Sequence, residues 1–285
     1  MRSCFHVEIE TPKKVLLNGL WFGPKKPKRV IVWMHGLGSS AFSKTFLYDA
    51  LVDKTTAVLA FNNRGHDKVA SSSHGRGKRD RGGAAHEVFT ECVDDIQGAI
   101  NFGKKAGVRD IYLAGHSTGC QKSAYWGALK GSGVKGIMLL APMSDYASEK
   151  AAQGTRALKR AESVAREYIQ RGKKHQLLPE NVWSWSWMAD AQRFMSLYTG
   201  NSAEEIFTYW DPKRNPKTLR SVKKPLLVLL AEHDEYADRP AKEIATWFKI
   251  HLKSKDEISI VPDVGHSFRG GEKAVAKAVH AFMKE

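Results

Sequence analysis

Hydrophobic residues along this chain gather in short unbroken runs. "RVIVWMHG", "TAVLAFNNRG", "DIYLAG", "VKGIMLLAP", "PLLVLLAEHD" and "EISIVPD" are apolar at successive positions and close on glycine, proline or polar residues. Successive side chains of a strand point to opposite faces, so a continuous apolar run predicts a strand buried on both. Between the runs the period changes. From His86 to Lys105, the residues Phe89, Val93, Ile96 and Ile100 share one face of a predicted helix. "TGCQKSAYWGALKG", residues 241–251 and residues 272–283 predict three more helices. "FHVEIE" and "VLLNGLWF" predict two early strands joined by a turn around Pro12. Strands alternating with helices predict an α/β fold: a mostly parallel sheet with helices on both faces.

One stretch breaks the alternation. Roughly 80 residues without a strong strand separate "LLAP" from "KKPLLVLL", too many for an ordinary loop. Ala147 to Arg171 reads as a basic helix, and "WSWSWMADAQRFMSLYTG" as an aromatic segment followed by a helix. Ser202 and Glu205 have the spacing of a capping box that opens a short helix. The division expected is a core of residues 1–142 and 223–285 with a helical cap of residues 143–222 over one end of the sheet.

Composition narrows the class. A chain of 285 residues that is 42% apolar is globular. No apolar run reaches the length of a membrane helix, and the first residues lack an apolar signal core, so neither a membrane partner nor export by the usual signal is expected. Cys4, Cys92 and Cys120 are scattered without ligand spacing. They predict free thiols in a reducing compartment, the cytoplasm, and no metal site. The net charge of +15 raises nucleic acid as a partner. The charge is spread over "RGKRDR", Lys150 to Lys174 and "DPKRNPKTLRSVKK", with no nucleic-acid-binding signature beside it. A solvated basic surface is the expected outcome, with no nucleic-acid partner.

Chemistry collects at the predicted strand ends, where parallel sheets bind ligands. "GHSTG" sets Ser117 between Gly115 and Gly119 at a strand-to-helix turn. A turn this tight forces strain on the serine and needs small residues two positions either side. It lifts the hydroxyl clear of the sheet and aims the Thr118 amide at a developing oxyanion. "MHGLGSS" ends another strand, and its Leu37 supplies the second amide. His35 in the same loop is expected to be a buried, hydrogen-bonded residue that holds the loop.

A serine hydroxyl needs a base, and the base needs an orienting carboxylate. Asp234 follows the strand in "LLAEHDEYAD", and His266 follows the next in "IVPDVGHSF". Glu232, Glu235 and Asp238 are rival acids, and Asp263 is read as a turn former. His66, His74 and His233 fall in plausible mouth loops, and His280 lies far along the last helix. His266 is the preferred base.

These motifs resemble the α/β-hydrolase superfamily from about Arg29 to the C-terminus. "GHSTGCQ", "LLPENVWSWSWMADAQRFMSL" and "AEHDEYAD" are similar to the branch that includes the fungal siderophore esterases, which cleave ester bonds in hydroxamate siderophores. The resemblance implies an α/β-hydrolase fold with a cap, a Ser117–Asp234–His266 triad and an oxyanion hole of Leu37 and Thr118. The strong basicity of "HGRGKRDRGG" and of the insertion departs from that branch.

The function expected is cofactor-free hydrolysis of a small-molecule carboxylic ester through an acyl-enzyme. Trp183, Trp185 and Trp187 are candidate substrate contacts, sharing one side if "WSWSW" is extended. Basic residues flanking the mouth suggest aryl or anionic substrates. The alternatives are a peptidase or amidase with the same triad, and a non-catalytic binding protein on the same scaffold. A dehalogenase would need a carboxylate where Ser117 stands.

Overall fold

The apolar runs form the middle of one twisted sheet in the computed structural model, which describes residues 3–74, 77 and 79–284. Six strands form a parallel block in the order β4 (Thr56–Phe61), β3 (Arg29–Met34), β7 (Asp110–His116), β8 (Ile137–Leu140), β9 (Leu226–Ala231), β10 (Glu257–Val261). Their side chains divide by parity. Val30 and Val32 of β3 join Leu113 and Phe61 in one core cluster. Ile31 and Trp33 join Tyr112 and Val58 in a second, on the other face. Both faces are covered, which is why these strands carry no polar alternation. The helices α2 (Cys92–Lys105), α3 (Thr118–Leu129), α7 (Ala241–His251) and α8 (Glu272–Phe282) flank the sheet.

The far edge is antiparallel. β2 (Leu16–Phe22) pairs with β4, with β1 (Cys4–Glu10) and, at one position, with β5 (Ala70–Ser73). β5 pairs with β6 (Arg79–Gly82) as a hairpin. Sequence periodicity reads this hairpin as a loop, because its strands are serine- and arginine-rich and contribute almost nothing to the core. Arg76 and Lys78 of the basic run lie outside the described residues. The short helix α1 (Thr45–Leu51) also escapes periodicity: seven residues give it only Leu47, Tyr48 and Leu51 to bury.

The helix predicted from His86 begins at Cys92, after a 3₁₀ turn over Phe89–Glu91. Residues 86 and 87 are committed elsewhere. His86 Nδ1 lies 2.9 Å from an Asp190 oxygen, and Glu87 is paired with Lys122 at 2.6 Å.

The insertion is helical. α4 (Asp145–Gln170) is broken at Gly154, whose φ of 83° lies in the left-handed region. α5 (Ala191–Leu197) is capped by the Asp190 carboxylate. Leu158, Trp183, Phe194 and Tyr198 belong to a third cluster that includes Leu37 at its edge. Further along, Phe207, Tyr209 and Leu219, the last on α6 (Lys217–Ser221), pack into the first core cluster instead. The basic side chains Arg156, Lys159, Arg160 and Arg166 of α4 are exposed. Cys4, Cys92 and Cys120 are all free. Among the described residues no helix is long and apolar enough to cross a membrane.

The capping box does not open a helix. The Glu205 amide does donate to Ser202 Oγ at 3.2 Å, but the Glu205 carboxylate accepts from Trp210 Nε1 at 2.8 Å and residues 205–208 continue without regular structure. Burial pushes the Glu205 carboxyl up to about 7. A folded-state value above the ordinary 4.5 means that the native chain holds this proton more tightly than the unfolded one. Stability is therefore lost as pH rises from about 4.5 through about 7. Glu205→Gln keeps the acceptor for Trp210 and removes the titration. It should be more stable than wild type by about 3 kcal/mol at pH 8 and nearly indistinguishable at pH 4, read from urea unfolding.

Candidate active site

Ser117 stands between β7 and α3 with φ 57° and ψ −128°, a conformation that costs a non-glycine residue about 1–3 kcal/mol. The flanking glycines make it sterically possible. A Cβ on Gly115 would sit 2.2 Å from the Gly119 carbonyl oxygen, and one on Gly119 would sit 2.3 Å from the Met34 carbonyl oxygen. The tight return of the elbow excludes a side chain at Gly115, and the end of the neighbouring strand β3 excludes one at Gly119.

Asp234 and His266 follow β9 and β10. The His266 Nδ1 lies 2.9 and 2.8 Å from the two Asp234 oxygens. A carboxylate only accepts, so Nδ1 carries a proton and the neutral ring keeps its lone pair on Nε2. The rival acids are occupied elsewhere. Glu235 accepts from the His266 main-chain amide at 2.8 Å, Asp238 pairs with Arg239, and Glu232 accepts from the Asp263 amide. Asp263 is a turn residue with φ 55°. His66 and His74 lie against Asp67 and Asp80, His233 is exposed, and His280 Nδ1 lies 3.8 Å from Asp53. None of these four borders the cavity that holds Ser117 and His266.

That cavity has a volume of about 240 Å³, and Leu37, Lys44, Met143, Trp187 and Tyr236 also line it. A second cavity of about 230 Å³ shares Leu37, Trp187 and Tyr198 with it and continues past Ala84, Met188 and Leu197. Neither the Leu37 nor the Thr118 amide donates to another described group. At the start of a helix that is expected for Thr118. For Leu37, which lines the cavity, it leaves a free donor there.

His35 is buried and its Nδ1 lies 2.9 Å from the Gly36 carbonyl oxygen, but its Nε2 has no partner. The expectation of a fully hydrogen-bonded His35 therefore holds at one nitrogen only. Burial, then the Lys122 charge, lowers it to about 4, so it is neutral.

Residues 185–187 form a 3₁₀ turn, so the extended geometry on which a shared tryptophan side depended is not adopted there. Trp183 is buried within the cap against Phe194 and Tyr198. Trp187 is partly exposed, lines both cavities and meets Tyr236 edge-on at 6.2 Å. The side chain of Trp185 lies outside the described groups.

Sequence reading missed several lining residues. Asp145, Glu149 and Lys44 border the cavity that holds Ser117 and His266, with no motif to announce them. Burial raises the Asp145 carboxyl well above the ordinary range, helped by Glu204 and Glu205, and burial also raises Glu149. Burial, then Arg269, lowers Lys44. Among the described residues one cluster could share a metal ion, Glu232 with His233 and Asp263, and none of the three lines the cavity.

Comparison with known proteins places this geometry. The family model described as serine aminopeptidase, S33 (Hydrolase_4) matches residues 25–272. A Mycoplasma genitalium protein with the provisional name esterase/lipase 2 is 26% identical over 137 residues, 48% of this chain and 46% of its own. Protein phosphatase methylesterase 1 of Candida albicans is 28% identical over 137 residues, 47% of this chain and 33% of its own. The chain thus spans less than half the length of the curated relatives it matches. The solved structure of the Pyrococcus furiosus esterase Pf2001 superposes with a TM-score of 0.64 at 19% identity, covering 99% of this chain and 91% of that one. The fold is that of the α/β-hydrolases.

Proposed function

The chain belongs to the serine aminopeptidase S33 family of hydrolases, and on that premise we propose that it is a serine esterase whose triad is Ser117, His266 and Asp234. In this reading Ser117 Oγ attacks the ester carbonyl while His266 Nε2 takes its proton. The Leu37 and Thr118 amides hold the oxyanion. His266 then returns the proton to the leaving alcohol, and water releases the acid by the same route. Asp234 fixes the tautomer and stabilises the imidazolium.

One observation carries the reading. Asp234 holds His266 Nδ1 through both oxygens, and the ring borders the same cavity as Ser117 on its strained elbow. The apolar cavity under the cap supports an acyl or aryl group as the part of the substrate lodged there. The motif resemblance to the siderophore-esterase branch and the esterase names of the relatives favour ester over amide. The family description favours the amidase alternative, because it names an aminopeptidase.

An activity panel separates these readings. p-Nitrophenyl esters of increasing acyl length should be cleaved at least about 100-fold faster than aminoacyl p-nitroanilides, measured as kcat/KM. The reverse order would make the protein an amidase. Labelling of Ser117 by a fluorophosphonate tests the nucleophile itself, and a wild-type protein that stays unlabelled is a binding protein. The suggested preference for anionic substrates rests on the exposed basic surface and on Lys44 in the cavity. Matched neutral and anionic esters across salt decide it: an advantage for the anion that fades with salt supports the preference, and equal salt-independent rates end it.

A further inference from the structure

His266 sits in the loop between β10 and α8, where no sheet ladder satisfies its main chain. Both of its backbone polar groups are nevertheless used. Its amide donates to Glu235 Oε2 at 2.8 Å. Its carbonyl oxygen lies 2.8 Å from His116 Nε2. A carbonyl only accepts, so Nε2 of His116 carries a proton and donates. Burial, then the adjacent His266, lowers His116 well below its ordinary value, so the ring is neutral.

The two partners have notable addresses. Glu235 directly follows Asp234, and His116 directly precedes Ser117. The loop that supplies the acid holds the amide of His266, and the elbow that supplies the nucleophile holds its carbonyl. Gly265 makes the first contact possible, because a Cβ there would sit 2.8 Å from Glu235 Oε2. The imidazole is also packed edge-on by His116 and by Tyr236, each with ring centroids 4.9 Å away. Asp234 holds the ring at Nδ1. Fixing the peptide on both sides holds the backbone from which that ring projects into the cavity it shares with Ser117.

We propose that Glu235 and His116 are positioning residues that clamp the main chain of His266 between the acid loop and the nucleophile elbow. The proposal rests on the serine-esterase reading and extends it to two residues of the cavity lining that act through the main chain of His266. The clamp acts through a hydrogen-bond acceptor at position 235, so its charge is dispensable and its oxygen is not.

The test uses the full chain and two variants of the exposed Glu235. Glu235→Ala should slow fluorophosphonate labelling of Ser117 about tenfold and lower kcat on a p-nitrophenyl ester by the same factor, with KM changed less than about twofold. Its thermal midpoint should match wild type. Glu235→Gln keeps an acceptor oxygen and should recover labelling to within about threefold of wild type, with the pH inflection of the labelling rate unmoved. Labelling of Glu235→Ala at the wild-type rate overturns the clamp. So does a Gln variant as slow as Ala with a displaced inflection, since that assigns Glu235 an electrostatic role. Failure of wild type to label at Ser117 is a separate result: it removes the esterase reading, and the clamp with it.

Discussion

Ser117→Ala should abolish ester hydrolysis, lowering kcat by at least about 10⁴-fold while KM stays near the wild-type value. In the proposed mechanism Ser117 Oγ is the atom that bonds to the acyl carbon, and alanine offers none. His266, the two amides and the apolar cavity survive the change, so binding and a small residual rate over water remain. The fold should survive too, because alanine adds no atom to a site where Gly36 approaches closely; a Cβ on Gly36 would meet Ser117 Cβ at 2.8 Å. Circular dichroism and the thermal midpoint serve as controls. A variant that keeps more than about one hundredth of the wild-type kcat would remove Ser117 as nucleophile and end the proposed mechanism.

Arg193→Ala should destabilise the protein by about 3–5 kcal/mol, the cost expected when a buried charge loses its partner. Arg193 on α5 is completely buried. Its guanidinium lies 3.1 Å from Glu204 Oε1, 3.2 Å from Glu87 Oε2 and 3.2 Å from the Ala84 carbonyl oxygen. Glu87 is also paired with Lys122 Nζ at 2.6 Å, and Lys122 is fully buried. Two cations and two carboxylates thus balance inside the molecule, joining the cap helix α5 to α3 and to the segment before α2. Removing Arg193 strands two buried carboxylates against one lysine. Urea unfolding should show the loss, and Arg193→Ala combined with Glu204→Gln should regain part of it. A loss below about 1 kcal/mol would mean that water reaches the cluster and replaces the guanidinium.

The sheet and its elbow are legible from residue order because local constraints dictate them. An unbroken apolar run has one stable place in a water-soluble α/β protein, and Gly-x-Ser-x-Gly after such a run admits one tight turn. The hairpin of β5 and β6 was illegible because edge strands of serine and arginine bury little and leave no hydrophobic period. "WSWSW" left its geometry open: its alternation gives one shared side only if the stretch is extended, and the chain instead makes a 3₁₀ turn, with Trp183 packed against Phe194 and Tyr198 and Trp187 lining the cavity.

Residue order alone is enough for the class of fold and for the short motifs that carry Ser117, Asp234 and His266 as candidates. Each of those motifs is read from spacing within a few residues. Tertiary structure decided which of four neighbouring acids reaches the imidazole, which residues line the two cavities, and where the buried charges Lys122, Glu87, Arg193 and Glu204 find one another. Those choices depend on contacts between residues tens to more than a hundred positions apart. A polar side chain shows no period that reveals its partner, and only the folded chain brings the two within hydrogen-bonding distance.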